Sequence, residues 1–72
     1  MNIILYTLPS CPICEMVKTK LHNKNLSYQE QDFHKIADII QSDHAPALVI
    51  DQNGHHDILN SPSAINSWIK AQ

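Results

Sequence analysis

The chain is expected to fold as an α/β domain, a four-stranded mixed sheet with helices on both faces, and three observations predict it. Short apolar runs rich in β-branched residues alternate with segments of helical spacing. The opening strand-helix-strand unit calls for parallel neighbours in one sheet. A late Asn-Gly pair marks a hairpin, and with it an antiparallel edge. Seventy-two residues suffice for one domain, taken as residues 1–72, close to the lower limit of unaided folding.

Ile3-Ile4-Leu5-Tyr6-Thr7 is a β-branched and aromatic run stopped by Pro9-Ser10, so it reads as a buried strand. From Pro12 to about Asn23 the period changes. Cys14, Val17 and Leu21 fall on one face of a helix, and Lys18, Lys20, His22 and Lys24 crowd its second half, where cations suit the dipole. Leu26-Ser27-Tyr28-Gln29-Glu30 alternates as a half-exposed strand does. A short helix from about Lys35 to Gln41 should turn Ile36, Ile39 and Ile40 inward. Ala47-Leu48-Val49-Ile50 is a second buried strand, and Asp51-Gln52-Asn53-Gly54 turns it back into a weak antiparallel strand, His56 to Leu59. Ser61 then caps a last helix with Pro62 at its first position and Ala64, Ile65, Trp68 and Ile69 inward. The order is β-α-β-α-β-β-α.

Composition removes several functional classes. The chain is 43% hydrophobic and 17% charged with net charge -2, so no basic footprint for nucleic acid or anionic membrane exists. Nothing approaches the roughly 20 apolar residues of a membrane span. The opening apolar run lacks the features of a signal peptide. The cytosol, where thiols stay reduced, is the expected setting, and two cysteines three apart there read as catalytic or metal-binding.

Cys11 and Cys14 stand where a strand ends and a helix begins. Three apart on a helix is one face, so their sulfurs can reach disulfide distance. Free N–H groups and the positive dipole end at the helix start stabilise a thiolate, so Cys11 is expected to ionise below the free value of roughly 8.5. Cys14, one turn deeper, is expected to be buried and to stay a thiol until needed. Pro12 fits the first turn, having no N–H to waste. Cys11 is thus the candidate nucleophile and Cys14 the resolving thiol of a dithiol–disulfide cycle that needs no bound cofactor or metal, only an external reductant.

Two rivals stand beside that reading. A lone C-x-x-C is also half a zinc site, but four ligands are needed. No second pair exists, and His22, His34, His44, His55 and His56 lack ligand spacing. A redox-inert adaptor that keeps only the fold is the other, and the intact cysteine pair speaks against it.

With these residues in view, the whole chain resembles a glutaredoxin-like member of the thioredoxin superfamily, nearest to the short redoxins that donate electrons to class Ib ribonucleotide reductase. The resemblance rests on the Ile3–Thr7 strand, Cys11-Pro12-Ile13-Cys14, and Ala45-Pro46 ahead of the Ala47–Ile50 strand. It implies a thioredoxin fold and thiol-disulfide oxidoreductase activity in a monomer. It also implies a cis-proline at Pro46 beside the cysteines, with Ala45 pairing its backbone to the substrate; from the residues alone, a trans proline ending the second helix is the ordinary reading. The implied partners are a disulfide-bearing protein, ribonucleotide reductase by resemblance, and a reductant, either glutathione or an NADPH-dependent flavoprotein.

The chain departs from the family pattern in three places. Ile13 stands where tyrosine is usual, and His44-Ala45 replaces a β-branched polar pair. Leu59-Asn60-Ser61-Pro62-Ser63 occupies the stretch where the family has a Gly-Gly turn that, with the last helix's N-terminus, holds the glutathione carboxylate, and the chain's only glycine, Gly54, lies elsewhere. Ser61 with the helix N–H groups is then the remaining candidate for an anion, or a plain cap. Among other residues, Lys18 and Lys20 read as a solvated helix face before they read as a draw for an acidic partner or a means of lowering the Cys11 pKa. His44 reads as a loop residue, Met16 as partly packed, and Trp68 as core.

Overall fold

In the computed structural model, which describes residues 1–72, seven elements follow in the expected order. They are β1 (Asn2–Thr7), α1 (Pro12–Asn23), β2 (Gln29–Asp32), α2 (His34–Ile40), β3 (Ala47–Gln52), β4 (His55–Leu59) and α3 (Pro62–Lys70). The sheet order is β2-β1-β3-β4, with β2 parallel to β1 and the other neighbours antiparallel. This is the thioredoxin-type α/β arrangement.

Alternation along β1 and β3 divides the core between two faces. On one side Ile3, Leu5, Leu48 and Ile50 pack against Val17 and Leu21 of α1 and Ile65 and Ile69 of α3, with Trp68 and Leu59 at the margin. On the other, Phe33, Ile36 and Ala47 form a smaller cluster edged by Tyr6, Ile40 and Val49. The Asn53-Gly54 turn has both residues at positive φ, 53° and 81°, as a tight hairpin matched to strand twist requires.

Two expectations need correction. The second strand begins at Gln29 rather than Leu26. Asn25 adopts a left-handed conformation (φ 57°), and the Leu26 N–H closes back on the Leu21 carbonyl at 3.0 Å. Leu26 therefore closes the helix end, it and Tyr28 pack on the core, and pairing with β1 starts only at Ile4↔Gln29. In α2, Ile39 points outward, 75% exposed. Phe33, Ile36, Ala37 and Ile40 supply the inner face instead, the 3-4 spacing of a helix that begins at His34, one residue earlier than expected, with Phe33 at its cap.

The register gathers the site. β1, β2 and β4 run the same way, and β3 begins beside the end of β1 through Tyr6↔Ala47. The starts of all three helices and the Ala45-Pro46 segment thus lie at one end of the sheet.

Candidate functional site

Cys11 sits between the end of β1 and the first turn of α1, after Ser10, a residue at φ 57°. Its backbone is extended (φ −110°, ψ 101°), the conformation of a helix cap. The capping atom is sulfur: Cys11 Sγ accepts the Cys14 N–H at 3.1 Å, while the Cys11 carbonyl accepts the Glu15 N–H at 3.1 Å. Pro12, exposed, occupies the first helical position.

Cys11 and Cys14 are joined in a disulfide, with their Cα atoms 5.2 Å apart. Cys11 is half-buried, whereas Cys14 is only 1% exposed. The two sulfurs therefore differ in access by position alone. Ile13 and Met16 leave an apolar rim on the same turn, 37% and 44% exposed.

The Ala45–Pro46 bond is cis, and Pro46 is buried where β3 begins. Leu8, on the loop leading to the cysteines, and Ala45 both pack against the Phe33–Ile36–Ala47 cluster. Ser61 Oγ accepts the Ala64 N–H at 3.2 Å and is thus engaged as the cap of α3. His44 is exposed beside Asp43.

Sequence reasoning missed three polar residues, Thr7, Glu30 and Asn60, and underrated Lys18. The buried Thr7 hydroxyl donates to Glu30 Oε2 at 2.8 Å, and Lys18 Nζ meets the same oxygen at 2.8 Å. Lys18 also reaches Glu15 at 3.4 Å. The Glu30 carboxylate lifts the lysine above its ordinary value, and the Lys18 and Thr7 donors hold Glu30 below its own. These groups wall a cleft of about 430 Å³ under the Ser10 turn, together with Asp32, whose pKa the His34 N–H and ring lower. Only strand register, 23 residues apart, brings Thr7 to Glu30, so no local signal announces the pair. Asn60 Nδ2 donates to the carbonyls of His44 (3.0 Å) and Pro46 (3.1 Å).

No three His, Cys, Asp or Glu side chains converge anywhere in the structure, and no helix is long and apolar enough to cross a membrane. The chemistry this end can support is thiol–disulfide exchange. It has an accessible sulfur facing a backbone donor, a buried sulfur within bonding reach of it, and a strand start alongside. The family model described as Glutaredoxin matches residues 3–56, about three quarters of the chain. No curated protein matches it.

Proposed function

The chain belongs to the glutaredoxin family, and on that footing we propose that it reduces disulfides, with Cys11 as nucleophile and Cys14 as resolving thiol. The observation that carries this reading is the Cys11 sulfur in the capping position, 3.1 Å from the Cys14 nitrogen and bonded to the buried Cys14 sulfur. A backbone donor and the positive end of a helix favour the anion of whatever occupies that position, and the thiolate is the reactive form.

The half-reaction is balanced by the two cysteines alone. Cys11 thiolate attacks one sulfur of the substrate disulfide, forming a mixed disulfide and expelling a thiolate that takes up a proton. Cys14 loses its proton and attacks Cys11 Sγ; the Cys11–Cys14 bond forms and the second substrate thiol leaves. Two electrons pass to the substrate. A Cys11–Cys14 disulfide is the end of that sequence, and an external thiol reductant returns it to the start. Pro12 presets the helix start, while Pro46 forms the substrate-side wall and Ala45 offers backbone to the incoming chain.

Finer assignments belong to the same proposal. The resemblance to short redoxins supports ribonucleotide reductase as the protein substrate and the cytosol as the setting of a monomer. The absence of a Gly-Gly turn from the Leu59–Ser63 stretch, with Ser61 Oγ already bonded to the Ala64 N–H, supports a flavoprotein reductase with NADPH over glutathione as the electron donor.

The test is trapping. Cys14→Ser should accumulate a mixed disulfide through Cys11, seen by intact-mass spectrometry after exposure to a disulfide-bearing protein. Equal trapping through Cys14 in Cys11→Ser would reverse the roles, and an oxidised wild-type protein with no intramolecular bond would remove the reading.

A further inference from the structure

Asn60 lies between the end of β4 and the cap of α3. Its amide uses both hydrogens across the gap to the loop before β3, one on the His44 carbonyl at 3.0 Å and one on the Pro46 carbonyl at 3.1 Å. The Pro46 carbonyl has no other partner within the chain, and that of His44 has only a longer one, Ser42 Oγ at 3.4 Å. Ala45 lies between the two held carbonyls. Its own N–H and C=O make no hydrogen bond within the chain. The residue before a proline is confined to extended backbone, so Ala45 presents a free donor and acceptor in the form an added strand pairs with.

Resting on the reading that Ala45 meets the substrate, we propose that Asn60 is a positioning residue that makes this chain selective for disulfides carried on a peptide backbone. A planar amide bonded at both hydrogens fixes the spacing of the carbonyls on either side of Ala45. The backbone between them is then ordered before substrate arrives, and its ordering cost does not fall on binding. A small disulfide with no amide of its own gains nothing from that order.

Pre-reduced protein is mixed in single turnovers with excess of either a disulfide-bridged peptide or bis(2-hydroxyethyl) disulfide. Asn60→Ala should raise the half-saturating concentration of the peptide about tenfold and leave its limiting rate within about twofold. Its rate with bis(2-hydroxyethyl) disulfide should not change. The near-isosteric Asn60→Asp, which has no donors when ionised, should reproduce the loss and carries the same test should the alanine variant unfold. N-methylating the peptide amides beside its cysteine should slow wild type and add nothing to the slowing of Asn60→Ala. Equal losses on both disulfides, or an unchanged half-saturating concentration for the peptide, overturn the proposal alone. A reduced wild type that reacts with neither disulfide overturns it together with the dithiol mechanism.

Discussion

The starts of α1 and α3 are built to one plan. Each opens on an extended capping residue, Cys11 (φ −110°, ψ 101°) or Ser61 (φ −102°, ψ 145°), followed by proline in the first turn. Each cap side chain accepts the N–H three residues on, at 3.1 Å from Cys14 and 3.2 Å from Ala64. Each cap carbonyl takes the next one, Glu15 at 3.1 Å and Ile65 at 3.0 Å. They differ in two atoms of consequence. The α1 cap is sulfur rather than oxygen, and the residue at its partner N–H carries a second sulfur. A hydroxyl in that frame only satisfies the helix, because it does not ionise in the working range of pH. A thiol in the same frame is close enough to ionisation for the helix start to matter. The chemistry is therefore a substitution on a common structural device.

Cys11→Ser turns the first helix start into a copy of the second, and it should have the largest effect. The oxygen keeps the bond to the Cys14 N–H, so α1 should remain capped and the reduced variant should melt within a few degrees of reduced wild type, followed by circular dichroism in dithiothreitol. Disulfide reduction should fall by at least ~10³-fold, to the rate of the solution thiol, since the proposed nucleophile is gone. A variant that loses helix along with activity would mean the sulfur serves the fold in a way oxygen cannot.

The reciprocal change, Ser61→Ala, removes a cap without touching chemistry. A lost serine cap costs about 1 kcal/mol, which in a domain of this size lowers Tm by roughly 4–8 °C. The limiting rate of exchange should stay at the wild-type value in the same preparation. A rate that falls with Tm intact would instead give Ser61 a part in binding, as an anion site would.

This pairing also shows what can be read along the chain and what cannot. Both helix starts were legible, Pro12–Asn23 to the residue, because a cap, a proline in the first turn and an apolar stripe are local signals. So was the Asn53-Gly54 hairpin. The start of β2 was not, because Leu26 and Tyr28 carry a strand's alternation while Leu26 closes the end of α1 and both pack on the core ahead of the strand. Ile39 was misjudged because a seven-residue helix gives two turns, too few to fix its inner face from spacing. Thr7–Glu30–Lys18 and Asn60 lay out of reach for a different reason. Their contacts span 12 to 23 residues and exist only once the register Ile4↔Gln29 and Leu48↔Leu59 is set. Cysteine spacing announces the reacting atoms; the groups that hold the surrounding backbone answer to sheet geometry.

The two helices also differ in how they are fastened beyond their caps, and the smallest predicted effect tests that. Both bury apolar side chains in the same cluster, but α1 alone is strapped to the sheet by charge, through Lys18, Glu30 and the Thr7 hydroxyl. The Lys18 and Thr7 donors hold the Glu30 carboxyl below its ordinary 4.5 in the fold. A carboxyl that binds its proton more weakly when folded adds stability above its unfolded value, and that contribution fades as pH falls through the lower, folded value. Because the carboxylate side chain is 44% exposed, water and salt screen most of the gain, and Glu30→Gln should lower Tm at pH 7 by only about one or two degrees. The gap between wild type and variant should close as the pH drops below 4.5, and it should shrink at pH 7 as salt is raised. Ser61→Ala, with no ionising group involved, should show a gap that neither acid nor salt changes. If both gaps close together on acidification, the strap is not electrostatic and the two helix attachments are alike after all.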